Sequence, residues 1–367
     1  MHFHFTQEQQ QFADALRRWA ARDYTFESRR NIVHSEQGVS NDAWNTLVEL
    51  GITALPVPEA QGGFDGSAVD LYVVMQELGR ALVVEPYLAT AWGSWFLRRG
   101  GQDALLERVA AGSLKLACAF GEPGARHDLR EVSTQARREG DNYSLHGRKS
   151  VVVHGAQAGV LVVSALLDGD IALFTVAPED RGVQVTDYRT IDGQRAADIR
   201  FDGAPAALLA RGWEVLDEGL DVGMALLCAE AMGALQALFD ATLEYTKTRT
   251  QFGVPIGKFQ ALQHRMADMY IHLRQARSMA QLAAVKAASP DPLERRRCVS
   301  AARYRVGLAI RFIGQQAIQL HGGMGMTDEL AAAHHFKRLS MIEQTLGDTD
   351  HHLERFIASS PSYWNEQ

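Results

Sequence analysis

The apolar residues of this 367-residue chain change their spacing twice, and that change restricts the fold more than any other feature. At first they recur every three or four positions: Phe12, Leu16 and Trp19, then Trp44, Leu47 and Val48, then Leu71, Val74, Met75 and Leu78. That is the spacing of one face of an α-helix. Thr6 ahead of Glu8 and Gln9 reads as a helix start, and Ser40 or Asn41 can cap a second helix. From about residue 114 the apolar runs become short and β-branched, as in Val151-Val152-Val153, Val160-Leu161-Val162-Val163, Ile171 to Val176 and Val183 to Val185. Asp168-Gly169, Arg181-Gly182, Asp192-Gly193 and Asp202-Gly203 separate them as turn pairs, which predicts a small antiparallel β domain. From about residue 212 helical spacing returns in three long runs: Leu220 to Leu238, Leu262 to Leu273 and Val299 to Leu320. They are broken by a turn at Gly253-Val254-Pro255-Ile256-Gly257 and predict a bundle. The order gives an α+β chain: an N-terminal helical domain over 1–113, a middle antiparallel β domain over 114–208 and a C-terminal helical bundle over 209–367. Architecture of this kind names no function.

Composition excludes several classes. With 46% hydrophobic and 22% charged residues the chain is an ordinary globular protein. A net charge of -7 argues against nucleic acid as a partner. The three cysteines, Cys118, Cys228 and Cys298, are odd in number and widely spaced, so they form neither a disulfide framework nor a zinc motif. They read as small core residues and suit a reducing, cytoplasmic setting. Met1-His2-Phe3-His4-Phe5 lacks the form of a leader, and no segment approaches the ~18 uncharged apolar residues of a membrane span.

Two segments carry chemistry. In Arg249-Thr250-Gln251-Phe252-Gly253, an Arg and a Phe three apart are expected on one helix face near its end. A forked cation beside a flat ring suits a phosphate next to an aromatic base, whereas the plain alternative is a surface Arg and a helix-terminal Phe. In Gln319-Leu320-His321-Gly322-Gly323-Met324-Gly325, glycines directly after a helix expose backbone amides to an anion, or else form a C-cap and turn. No strand–Gly-loop–helix unit is present, so a Rossmann site is not expected.

Taken together, the two segments resemble the acyl-CoA dehydrogenase family in order, spacing and flanks: R-x-x-F-G-x-P-I-G-x-F-Q, then Q-x-x-G-G-x-G. Nearly the whole chain shares the resemblance, including Glu122-Pro123-Gly124 at the family's flavin-side loop. The flanks Tyr245-Thr246-Lys247-Thr248 and Gly347-Asp348-Thr349-Asp350-His351-His352 look most like pimeloyl-CoA dehydrogenase small subunits, a branch that works as mixed oligomers. The resemblance implies a C-terminal four-helix bundle, FAD as cofactor, and α,β-desaturation of an acyl-CoA thioester in fatty acid or dicarboxylic acid degradation. It also implies an electron-transfer flavoprotein as acceptor. By the same resemblance Arg249 meets the FAD pyrophosphate, Phe252 packs near the adenosine, Gln319 hydrogen-bonds the cofactor, and Gly322 and Gly323 bring the backbone close. In the family these residues act on FAD held mainly by a neighbouring subunit.

Other family positions are altered. The base, a Glu before Gly-Thr, corresponds to Leu346 before Gly347, and the second family location for it corresponds to Gly223, beside Met224 where many members have Arg. Asp348 is the nearest carboxylate and the weak candidate for a base, against its reading as a helix cap. Gly121 stands for the family's Thr, His127 for its Ser, and Val151-Val152-Val153 for Trp-x-Thr. These changes remove groups that stack on or hydrogen-bond the flavin ring, at roughly 1 kcal/mol per neutral hydrogen bond. Residues that reach a neighbour's cofactor are kept and those that serve the chain's own are gone. The expectation is therefore a non-catalytic subunit completing the FAD site of a large acyl-CoA dehydrogenase partner. A self-sufficient homo-oligomer with Asp348 as base, and a structural subunit without flavin, stand as alternatives. His334-His335 and His351-His352 are adjacent pairs that point apart on a helix and read as interface or surface residues, so no metal is expected.

Overall fold

A computed structural model describes residues 5–140 and 142–359 and has the helix, strand, helix order. Met1 to His4, on which the reading of no leader partly rests, lie outside the described residues. The first helix, α1 (Gln7–Arg22), opens with a capping box in which the Thr6 hydroxyl accepts from the Gln9 amide and the Gln9 side chain accepts from the Thr6 amide. It is followed by α2 (Phe26–His34), α3 (Asn41–Glu49, capped by Ser40), α4 (Ala68–Ala81), α5 (Tyr87–Arg99) and α6 (Asp103–Ala110). The described chain divides into two compact units.

One unit comprises Arg30–Leu71 and Val84–Gly223. Its centre is a seven-stranded sheet of β1 (Leu116–Ala119), β2 (Gln135–Glu139), β3 (Asn142–Val153), β4 (Val160–Leu167), β5 (Asp170–Val176), β6 (Val183–Arg189) and β7 (Arg195–Arg211). Antiparallel pairings run β2–β3, β3–β7, β7–β5 and β5–β4, and β2 returns to β4 through Gln135 opposite Leu166, closing a ring of strands. The sheet is not wholly antiparallel, because β1 lies parallel to β4 and the long chain between them supplies the crossover that parallel pairing requires. Alternation along the strands sends Leu145, Leu161, Val163, Phe174, Ile199 and Phe201 inward to one apolar core. Asp168-Gly169 is the expected two-residue turn, with φ of 56° and 91° joining β4 to β5. Asp202-Gly203 is not a turn: it lies within β7, where Gly203 at φ 69° is the extra residue of a bulge opposite Leu145 and His146.

The other unit comprises the chain up to Arg29, Tyr72–Val83 and the chain from Met224. It holds most of α7 (Trp213–Thr248), then a short hairpin of β8 (Thr250–Gln251) and β9 (Val254–Pro255). After the hairpin come α8 (Gln260–Lys286), α9 (Pro292–His321), α10 (Ala331–Gln344) and α11 (Thr349–Ala358). The helices meet through buried Leu235, Leu238, Met269, Leu273, Val306, Ile313 and Leu339. By length and composition α7 passes for a membrane span, but 83% of its most apolar window is buried within the protein, as in a core helix. Cys228 is buried as expected, whereas Cys118 and Cys298 are only partly so; all three are free thiols. His335 and His352 are 5% and 1% exposed, so they belong to the interior and not to the surface. Among the described residues no group of three or more His, Cys, Asp or Glu is placed to hold a metal.

Candidate functional site

The two chemistry-bearing segments meet at one end of the bundle. Helix α7 stops at Thr248, and the Arg249 amide still donates to the Tyr245 carbonyl at 2.9 Å. The chain then turns back as the β8–β9 hairpin, whose loop is Phe252-Gly253 with φ of 53° and 80°. Phe252 is therefore not on the helix face with Arg249, as its spacing suggested, but at a hairpin tip. Two positive φ angles in succession make the tight turn that suits a two-residue hairpin, and Gly253 supplies one of them without strain. Phe252 supplies the other at a steric cost and is 91% exposed, with an edge contact to Phe259 at 6.0 Å between ring centroids.

Gln319 lies in the last turn of α9, and Gly322 and Gly323 follow in a 3-10 turn over Gly322–Met326. Gly322 has φ 60°, and a Cβ built on either glycine meets no atom within 4 Å, so their backbone faces open space. Arg249 and Gln319 are exposed, and no hydrogen bond or ion pair engages either side chain among the described residues. Tyr245 and His321, given no role from the sequence, join the segments: their rings stack with centroids 4.5 Å apart, and the Tyr245 hydroxyl donates to the His321 carbonyl at 3.3 Å. Their signal was positional, since Tyr245 lies one helical turn before Arg249 and His321 directly precedes Gly322. The result is an exposed guanidinium, an exposed ring, an exposed amide and bare backbone, which fits a dinucleotide's pyrophosphate and base.

At the family's base position the loop carries no proton-accepting side chain, since Leu346 and Gly347 stand there. Leu346, at φ 57°, and Gly347 join α10 to α11. Beneath them the buried Arg303 donates from Nη2 to the carbonyls of Ile342, Thr345 and Gly347 at 3.0, 2.7 and 3.0 Å. The carboxylate nearest in sequence before Leu346 is Glu343, which accepts from Arg311 and from the amide and hydroxyl of Thr349. Burial opposes its ionisation, but the Thr349 bonds and Arg311 outweigh this and hold its carboxyl below the usual range. Asp348 is the N-cap of α11, accepting from the His351 amide at 2.8 Å.

In the sheet-bearing unit, the flavin-side loop is tied down by a buried ion pair. Lys149 Nζ donates to Glu122 at 2.7 Å, to the Phe120 carbonyl at 3.3 Å and to Ser164 at 2.9 Å. Glu122 also accepts from the amides and hydroxyls of Ser133 and Thr134. Two residues on, β3 bulges and Val151 stands at φ 52°, 53% exposed, with its amide donating to Asp198 at 3.2 Å. A β-branched residue resists this conformation, so the bulge is imposed by its surroundings. Gly121, Val151 and Val153 offer no side-chain hydrogen bond to a flavin ring. Arg249, Phe252, Gln319 and the two glycines thus have the chemistry to hold a dinucleotide, whereas the side chains of Gly121, Val151 and Val153 have none to hydrogen-bond a flavin ring.

Residues 6–114 match the acyl-CoA dehydrogenase N-terminal domain, 117–204 the middle domain and 210–360 the C-terminal domain. The chain is 30% identical over 338 residues to acyl-CoA dehydrogenase IpdE2 of Mycolicibacterium smegmatis, covering 90% of this chain and 92% of that protein. The chain belongs to the acyl-CoA dehydrogenase family. Acyl-CoA dehydrogenases are FAD-dependent oxidoreductases acting on CH–CH bonds. A chain of the ChsE4-ChsE5 complex from Mycobacterium tuberculosis superimposes with a TM-score of 0.91 at 27% identity, over 99% of this chain and 100% of that one. A chain of the Tcur3481-Tcur3483 steroid acyl-CoA dehydrogenase gives the same score and identity over 96% and 97%. The fold is that of the acyl-CoA dehydrogenases, as the resemblance implied, and its order of helices, β domain and helices is that expected from the spacing.

Proposed function

We propose that this chain is the non-catalytic subunit of a heteromeric acyl-CoA dehydrogenase and completes an FAD site held mainly by a larger partner. The observation that carries the reading is that Arg249, Phe252, Gln319, Gly322 and Gly323 are exposed together, with no hydrogen bond or ion pair to the Arg249 or Gln319 side chain among the described residues. Arg249 would neutralise the pyrophosphate, Phe252 would pack against the adenosine, and Gln319 and the two glycines would hold the dinucleotide's edge. FAD supplies the hydride acceptor for the β-carbon of the acyl-CoA. The partner supplies the ring cradle and the carboxylate that takes the α-proton, since Leu346 and Gly223 offer no proton acceptor. Two neighbours of this fold, the ChsE4-ChsE5 complex and the Tcur3481-Tcur3483 enzyme, carry two components in their names, which supports a mixed assembly. An electron-transfer flavoprotein is the acceptor in this reading, the cytoplasm its location, and 1–113, 114–208 and 209–367 its domains.

Co-expression with a family member that retains the base tests the proposal. A flavin-loaded, active complex that loses flavin on Arg249→Ala is expected, and a lone chain that binds FAD fully and reduces it with an acyl-CoA overturns it. The homo-oligomeric reading with Asp348 as base is disfavoured, because that carboxylate is committed to the α11 cap.

A further inference from the structure

We infer that Trp92 closes the chamber in which a catalytic acyl-CoA dehydrogenase seats its acyl chain, so that this chain has no acyl site of its own; the inference rests on the non-catalytic reading above. A base must stand within about 3 Å of the proton it removes. The direction of a side chain at position 223, the second family location for the base, therefore marks where a thioester would lie. In this chain that direction is filled. A Cβ built on Gly223 falls 2.6 Å from Cε2 and 2.8 Å from Nε1 of Trp92. One turn earlier on the same face of α7, a Cβ on Gly219 falls 2.1 Å from Cζ of Phe96.

The rings are fixed as well as close. The Trp92 indole N–H donates to the Gly219 carbonyl at 2.6 Å, so its one polar atom is satisfied. Trp92 meets Phe120 edge to face at 5.3 Å and Phe96 at 6.0 Å, and Phe96 meets Phe120 at 5.3 Å. Trp92, Phe96 and Phe120 are 8%, 0% and 4% exposed. A close-packed interior has no room for an alkyl chain beside three such rings, and the absence of side chains at 219 and 223 lets the indole reach the helix backbone itself. The plain alternative is that Gly219 and Gly223 only admit a packed core, with no acyl path beside them. The two cases differ in whether an acyl chain tethered to CoA can reach the space that Trp92 vacates.

Calorimetric titration of the purified full chain and its Trp92→Ala variant with CoA, butyryl-CoA and hexanoyl-CoA decides between them. The native chain is expected to show no dependence on acyl length. Trp92→Ala is expected to tighten by about fourfold per added methylene. If Trp92→Ala does not fold by circular dichroism, Trp92→Leu is expected to show the same dependence more weakly. Acyl-length dependence in the native chain, or none in a folded variant, overturns the inference. Flavin plays no part in this readout, so a failure of the subunit proposal would show in flavin content and not here.

Discussion

Tyr245 lies flat against His321, ring centroids 4.5 Å apart at 29°, and its hydroxyl donates to the His321 carbonyl. This contact ties the end of α7 to the end of α9, and so sets the distance between Arg249 and the Gly322-Gly323 turn. Tyr245→Phe removes one hydrogen bond and should cost about 0.5–1.5 kcal/mol, with flavin retained in the assembled complex. Tyr245→Ala also removes the stack and should lower flavin content per complex, measured by visible absorbance after gel filtration.

The ion pair of Lys149 and Glu122 is buried on both sides, at 0% and 7% exposure. Breaking it leaves a charge in the interior without its partner. Lys149→Met should therefore destabilise the chain by about 3–5 kcal/mol, read as a lowered denaturant midpoint. The double variant Lys149→Met/Glu122→Gln leaves no unpaired charge and should recover part of that loss.

The same pair predicts an acid response. Burial opposes ionisation of Glu122, but Lys149 and the Ser133 and Thr134 hydroxyls outweigh it and hold the carboxyl at about 2, below its ordinary 4.5. A folded pKa below the unfolded one means that the unfolded chain binds more protons as pH falls through this interval. The stabilisation is present above about pH 4.5 and is lost as pH falls toward about 2. Denaturant titrations across this range should show a shallower acid limb for the double variant than for the native chain.

Asp348 separates cap from base. Asp348→Asn keeps a good N-cap and should leave both stability and the activity of the assembled complex unchanged. Asp348→Ala should cost about 0.5–2 kcal/mol through the lost bond to the His351 amide. Abolished turnover with flavin still bound in Asp348→Asn would restore the base assignment.

Much of this was legible in the sequence where local chemistry decides. Thr6 and Ser40 cap the helices they precede because a hydroxyl at that point satisfies an orphan amide. The long helices of the bundle follow their three-and-four spacing. Strands β1, β2 and β7 were not legible: Leu116–Ala119 is too short to show alternation, and Gln135–Glu139 has one buried residue. Arg195–Arg211 hides Asp202-Gly203, a turn-like pair used as a bulge. Arg249, Gln319 and the glycines were legible as a motif, but the hairpin that lifts Phe252 off the helix was not, because spacing cannot report a φ of 53°. Trp92, Lys149 and the Arg303 clamp depend on contacts far apart in sequence, which no local pattern carries.

In the proposed assembly this chain presents its groups to FAD held elsewhere. The visible spectrum of the chain purified alone, set beside that of the chain co-purified with a family member retaining the base, addresses it most directly. No flavin band is expected from the lone chain, and a full band from the pair that falls on Arg249→Ala. A full flavin complement on the lone chain, bleached by an acyl-CoA, would contradict it.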